Sequence, residues 1–564
     1  MAGAAAKALE DAGVAVFRTP SPAAIGRDIR SAHALIIADP LTDPASAIAG
    51  LRTLCRRFRA RRPPLRTILV DEEDGVLPSL DMSDDSLLLL EIFNLRRQAA
   101  RALLANRPLH EGMDPPFGQS VHLLLAGNAP PAHALMLQAL RLAHYGNVPV
   151  LTFACTDPVA EREAWLAAYP QAERFCRLDF TELHAPNLPK DPPVTSVFVC
   201  VERPEHGLEL AQQLAKQVAD AQQSSPVIHL EVGDTRPQGD IGEWDGQVLP
   251  FSWLREACRP EVLLEARGDE LARVIHEHYR DSIAAQGRDP AGEPGGRPWE
   301  RLATSYREAS RQQADHLWAK LAAVDCRAVS EELVESFAFA PLEVERLARI
   351  EHSRWAADRY LDGWTYGPVR DNIQKHHPQL IPYAELSRPM KDLDRFAVRL
   401  VPTLLARSSR SLVRMLLVGV PEVRREPAAD GFLRRLADAA LARLAERYPD
   451  RSLVVSSTLA DPHSRLVVRR ALDAFGASLF VLCAQPVAET LSAQRDDGAR
   501  RDLLELLARV ERRIPLAGAD GLAAWFARRA EILLIVGTEA QEVEKRKRVT
   551  LDPVNRRLEW TFEY

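Results

Sequence analysis

Cysteine is scarce in this 564-residue chain. There are seven (Cys55, Cys155, Cys176, Cys200, Cys258, Cys326 and Cys483), and no two form a Cys-x-x-Cys pair. That pattern excludes a zinc-ribbon site and a disulfide framework, and it fits a reduced, cytoplasmic setting. No apolar run reaches the roughly 18 residues of a spanning helix, so direct membrane insertion is not expected. The opening MAGAAAKALEDAG lacks the basic start and apolar centre of a secretory signal. Positive charge is not in excess, and a formal net charge of -6 argues against a general nucleic-acid binder. Glycine-rich phosphate loops of the Walker type, Gly-x-Ser-x-Gly elbows and His-Glu-x-x-His motifs are all missing, so no catalytic residue is assigned. The adjacent pair His376-His377 has no third ligand at suitable spacing, and no metal site is expected.

What is present describes a globular chain, 46% apolar and 27% charged. Its length suits roughly three to five ordinary domains. Residues 1–112 alternate a helix ending at Gly13, the short strand VAVFR, a strand at 32–39, a helix and a strand at 65–73. Residues 113–283 place strands at 119–127, 148–157, 195–202 and 225–234 between helical segments. Such alternation predicts parallel α/β sheets. AAQGRDPAGEPGGRP (284–298) reads as a mobile, solvated Gly/Pro linker. Residues 299–410 read as mostly helical. Residues 411–564 return to α/β alternation, with RRDLLELLARVERR as a helix and the tail after KRKR as edge strands. The expected fold class is therefore multidomain α/β, with Rossmann-like parallel sheets and one helical domain placed before the last of them.

Aromatic residues make up only 6% of the chain, yet they gather between Ile350 and Leu386. Trp355, Tyr360, Trp364, Tyr366 and Tyr383 are interleaved there with Arg354, Arg359, Arg370, Lys375, His376 and His377. Flat π-faces beside cations can hold a nucleobase with its phosphates; stacking contributes about 1–3 kcal/mol per base, and a guanidinium matches phosphate geometry. The candidate site is Trp355, Arg359, Trp364, Tyr366, Arg370, Lys375, His377 and Tyr383. Trp355, Trp364 or Tyr383 would stack on a base, and Arg370, Lys375 and His377 would meet phosphate or ribose. The competing reading is an aromatic mini-core whose turn is closed by ion pairs such as Asp362–Arg370.

The strings DGWTYGPVRD, KHHPQLIPYAEL and KDLDR resemble the RyR repeat of ryanodine receptors and its stand-alone bacterial relatives. The matching residues run from Trp355 through Asp362, Gly363, Trp364, Tyr366, Gly367, Arg370, Asp371, Lys375, His377 and Tyr383 to Asp394 and Arg395. YREASRQQADHLWAKLAAVDC, from Tyr306, resembles the first half of that module. The resemblance implies a compact helical domain able to take an adenine nucleotide. Residues 1–112 and 113–283 resemble Trk/RCK-type NAD-binding domains, the first without a glycine loop. In the second the fingerprint is reduced to Gly127-Asn-Ala129-Pro-Pro-Ala132, leaving Gly127 and Asp157 as candidate cofactor contacts. SSTLADPHSR (456–465) and VLCAQPVAE resemble the SLOG superfamily, with Ser457, Asp461 and Arg465 as its loop candidates. Together these resemblances imply a cytoplasmic nucleotide sensor for an adenine nucleotide, NAD or an NAD-derived signal. It would form homo-oligomers and act with a separate channel or effector subunit in stress, phage-defence or potassium-flux signalling. The alternatives are a nucleotide N-glycosidic hydrolase acting through the SLOG-like domain, and an assembly protein whose ancestral pockets have closed.

Overall fold

The computed structural model describes the chain apart from residues 1, 19–21, 38–43, 60–61, 72–86, 190, 202, 223–225, 234–247, 331–336, 423–429, 486, 495, 517, 537–546, 553–556 and 562–564. The ends of the strands expected at 32–39 and 225–234, and part of the KRKR tail, lie outside the described residues. The protein is a multidomain α/β chain with several parallel sheets.

The first unit is a three-stranded parallel sheet of β1 (Ala34–Ile37), β2 (Leu65–Asp71) and β3 (Leu88–Asn94). The expected strand VAVFR is absent: residues 14–18 carry no ladder. The second unit is a six-stranded parallel sheet of β4 (His122–Ala126), β5 (Val150–Cys155), β6 (Arg177–Glu182), β7 (Ser196–Val199), β8 (Ile228–Glu231) and β9 (Val248–Phe251). Its order is β6-β5-β4-β7-β8-β9. The chain winds outward from β4, crosses back, and winds outward on the other side. This is the order of doubly wound dinucleotide-binding sheets.

The third sheet contains β13 (Ser411–Gly419), β14 (Arg451–Ser457), β15 (Ser478–Cys483), β16 (Val510–Pro515), β17 (Ile532–Val536), β18 (Lys547–Asp552) and β19 (Arg557–Thr561), in the order β16-β15-β14-β13-β17-β18-β19. All its neighbours on that path are parallel except β18 and β19. The segment expected to be one helix, RRDLLELLARVERR, splits. The helix Asp497–Leu507 stops, and Val510–Pro515 forms β16 with Arg512 and Arg513 buried. Arg512 lies over Phe480, 4.8 Å from the ring centroid, so packing and cation–π contact override the polar pattern.

Between the second and third sheets lies the helical module. Its core joins Leu271 and Ile275 to Trp299, Leu317, Leu321, Leu347, Ile350, Val401 and Leu405. Residues 284–298 are largely exposed, as expected of a solvated linker. They fold into short 3-10 turns at Pro290–Gly292 and Pro294–Gly296, with Gly295 and Gly296 buried. The Gly296 carbonyl accepts from Arg280 Nε at 3.0 Å. A Cβ on Gly296 would lie 2.3 Å from the Pro290 carbonyl, which is why glycine fits this close approach. The module also lends β10 (Cys326–Val329) to the third sheet, antiparallel to β13.

Buried charge joins the units. Asp114 accepts from Trp525 Nε1 at 2.7 Å and Arg529 Nη2 at 2.8 Å, and Arg529 also reaches Asp325 at 2.7 Å. The second unit, the helical module and the third unit meet at that carboxylate. Arg101 likewise bonds Asp315 at 2.7 Å and Asp269 at 3.0 Å, and Arg311 pairs with the same Asp269.

Candidate functional site

The helix Pro341–Leu361 carries half of the aromatic–basic face. It starts cleanly because Pro341 occupies its first turn and Glu343 accepts from the Ala340 amide at 2.7 Å. Val344, Leu347, Ile350, Ala357 and Leu361 are buried along it. It stops at Gly363, whose φ of 80° suits a residue without Cβ. The chain then forms the two-stranded parallel pair β11 (Thr365–Tyr366) and β12 (His376–His377).

These elements line up five rings. Trp364 and His377 have centroids 6.1 Å apart, His377 and Trp355 4.8 Å, Trp355 and His352 5.8 Å, and His352 and Tyr383 5.8 Å. Arg359 lies over Trp364, 5.7 Å from the centroid, and Lys391 over Tyr383 at 5.3 Å. Trp364 is only 7% exposed and Tyr383 8%, so both faces are already covered by protein. Trp355 is half-buried, and Tyr366 stands out at 56% exposure.

The cations differ in how they are held. Lys375 Nζ donates to the Asp362 carbonyl at 2.6 Å and lies 3.3 Å from its carboxylate. Trp364 Nε1 donates to the same carboxylate at 2.9 Å. The expected Asp362–Arg370 pair is thus replaced by Asp362–Lys375. Arg370 is exposed, and among the described residues its side chain bonds its neighbour Asn372 at 3.0 Å. His377 Nδ1 accepts from the Gln379 amide at 3.2 Å, so its neutral form carries the proton on Nε2 and offers a donor. Burial, and then Arg370 and Arg359, hold the His377 pKa below its ordinary value. Arg359 and Arg370 thus lie near enough to His377 for their charge to act on it, and His377 Nε2 is a donor; cations beside a donor suit an anionic acceptor.

Beneath this face lies a buried charge cluster. Glu351 accepts from Arg354 at 2.8 Å and pairs with Lys320. Burial pushes the Glu351 carboxyl up, but Arg354 and Lys320 overcome it and bring it to about 2. Sequence reasoning does not single out His352, although it sits one turn before Trp355. It also misses Phe175 of the second unit, which stacks on Tyr360 with centroids 6.0 Å apart and planes at 9°. No local pattern marks a partner so distant in the chain.

The other candidate residues serve local structure. Gly127 has φ 103°, and a Cβ there would lie 2.2 Å from the Cys200 carbonyl. Asp157 caps the next helix through the Ala160 amide at 3.0 Å. Beside the Gly127 turn, Glu161 accepts from Asn128 at 3.1 Å and meets His133 at 3.0 Å. A carboxylate thus occupies the end of the sheet where a pyrophosphate would need donors. In the third unit Asp461 caps its own helix through His463 and Ser464 at 3.0 and 2.9 Å. Ser457 accepts from Leu459 at 3.2 Å, and Arg465 is buried on Asp502 and the Leu459 carbonyl. Among the described residues no group of three or more His, Cys, Asp and Glu is arranged to hold a metal ion, and no helix is long and apolar enough to cross a membrane.

A family model described as RyR domain matches residues 341–409. The span opens with the helix at Pro341 and contains all eight residues of the aromatic–basic candidate set. The match suggests that the span 341–409 is a regulatory or ligand-binding domain.

Proposed function

We propose that this chain is a nucleotide-responsive regulator whose RyR-like module takes an adenine nucleotide or an NAD-derived signal. The observation that carries the reading is the ring row Trp355–His377–Trp364 bordered by Arg359 and Arg370. Half-buried Trp355 and exposed Tyr366 offer the accessible aromatic surface, and Arg359, Arg370 and His377 receive phosphate. Lys375 acts by closing the turn on Asp362, and Trp364 and Tyr383 support the row from within.

The reverse side of the long helix supplies the relay. Leu361 belongs to the core of the second unit, and Tyr360 stacks on its Phe175. Ordering of the ligand face would bias the packing of the second unit, and through Asp114 that of the third. A separate channel or effector subunit would read the change. A second reading, an assembly protein, draws on the second unit, where the Asn128–Glu161–His133 network fills the nucleotide end of the sheet.

The test is a thermal-shift screen with ATP, ADP, AMP, NAD, NADH, ADP-ribose and cyclic dinucleotides. A ligand at 100 times its dissociation constant adds about 2.7 kcal/mol of stability. A selective shift that Arg370→Ala abolishes, with the unliganded melting temperature unchanged, is expected. Absence of any shift overturns the sensor reading and leaves the assembly reading.

A further inference from the structure

The long helix Pro341–Leu361 has a second face. Arg354, Asp358 and Leu361 stand four and three residues apart on it, so they share one side. That side lies on the second unit. Leu361 packs in the same core as Leu140 and Ala143, at the end of the helix Pro130–Leu142. Arg354 is close enough to His144 for its charge to act on that imidazole. The last turn of the same helix carries Arg141, a half-buried cation without an acceptor. Among the described residues its Nε is buried with no hydrogen bond. Burial pulls the Arg141 pKa below its ordinary value, and the Asp358 carboxylate is the strongest charge acting the other way.

Asp358 also serves the ligand face, through its neighbour in sequence. Arg359 Nη2 donates to its Oδ2 over a long 3.4 Å. Among the described residues Arg359 is otherwise loosely held: its Nε is buried with no hydrogen bond, and its guanidinium lies over Trp364. The other charges around this carboxylate and Arg141 are already engaged. Glu308, the second carboxylate that acts on Arg141, accepts from Arg311 at 2.8 Å. Arg354, on which Asp358 also acts, is held by Glu351 at 2.8 Å. One carboxylate thus stands between a loosely held cation on the ligand face and an unsatisfied cation on the second unit.

We propose that Asp358 is the switching residue of the RyR-like module, a carboxylate for which Arg359 and Arg141 compete. An anion that takes Arg359 frees Asp358 to pair with Arg141, and that pair draws the second unit onto the long helix. The ligand step rests on the reading of Arg359 as a phosphate contact. The competition itself needs no ligand, because any change that removes the Arg359 charge acts in the same direction. With Arg359 in place, two guanidinium groups divide one carboxylate. With Arg359 engaged elsewhere, Arg141 has it alone and gains the charge-assisted hydrogen bond it lacks. A partly buried cation gains more from such a partner than an exposed one, so the pair forms where it holds two units together.

The test is a double-mutant cycle on the full chain, Asp358→Asn against Arg141→Met, run with Arg359 present and again with Arg359→Met. Both substitutions keep most of the side chain's bulk and remove its charge. Native-state hydrogen exchange of residues 139–145 and 354–361 reads opening between the second unit and the long helix. With Arg359 present, the Asp358–Arg141 coupling should change the opening constant by no more than about twofold; in Arg359→Met it should reach at least about fivefold. Arg359→Lys keeps the charge and should restore the small value. Equal coupling in all three backgrounds overturns the proposal, because Asp358 then serves structure alone. Coupling below about twofold in Arg359→Met overturns it as well, since Arg141 then makes no use of the freed carboxylate. The sensor reading fails on a different result, the absence of any nucleotide-induced shift in melting temperature, which leaves the cycle unaffected.

Discussion

Trp355 and His377 meet edge to face, with ring centroids 4.8 Å apart and planes at 69°. One residue comes from the middle of the long helix and the other from β12, so the contact fixes how the Gly363–Lys375 turn lies on the helix. It also places an imidazole that burial, and then Arg370 and Arg359, keep from protonating.

Removing a cation should therefore release His377. In Arg370→Ala its pKa should rise toward the ordinary value near 6.5, and binding of a phosphate-bearing ligand to the wild type should move it in the same direction. NMR titration of the histidine Cε1–H signals measures both. An unchanged titration in the variant would separate Arg370 from the imidazole.

Acid should destabilise the fold through its buried histidines. Burial holds His144 and His229 at about 4, and His110 and His316 well below the ordinary value. Each binds its proton more readily unfolded than folded, so stability falls as pH drops below about 6.5 toward 4. The slope is about 1.4 kcal/mol per pH unit for each histidine protonated only in the unfolded chain. His316 is fully buried, with neither ring nitrogen in a well-formed hydrogen bond among the described residues. His316→Phe should flatten the slope, as read by urea denaturation at a series of pH values.

Glu351→Ala should cost about 3–5 kcal/mol, because it leaves Lys320 and Arg354 buried without their shared carboxylate. Chemical denaturation reads the loss. Replacing Lys320 with Met in that background should recover part of it.

Asp114→Ala should loosen the units from one another before it unfolds any of them. Its carboxylate is fully buried and accepts from Trp525 and Arg529. Calorimetry should resolve an added low-temperature transition, and trypsin should cut between the units sooner than in the wild type.

Much of the architecture was legible because apolar runs such as HLLLA, VLTFAC and SLVRMLLVG read directly as buried strands. β6 was not legible: RLDFTE offers only Leu178 and Phe180 as apolar residues, and its role comes from lying at an edge. β16 was hidden for the opposite reason, since its buried Arg512 and Arg513 look like helix surface. In the linker the sequence did not show that Gly295 and Gly296 would be buried, because a residue without a side chain permits close packing as readily as exposure. In the candidate site the residue types were visible, and Arg359 and His377 do lie against Trp364. Which cation closes the turn was decided by geometry: Lys375, at φ 54°, reaches back to Asp362, while Arg370 points elsewhere.

Val329, at the end of β10, and Ser411, at the start of β13, are direct partners across their antiparallel ladder. The chain leaves the third sheet and returns to it at neighbouring points, and the whole RyR-matching span lies on that excursion. Its two ends lie side by side, so the β10–β13 pairing sets no limit on the length of the excursion, and what holds it in place is the packing of Leu347, Ile350, Val401 and Leu405 on Leu271, Trp299 and Leu317.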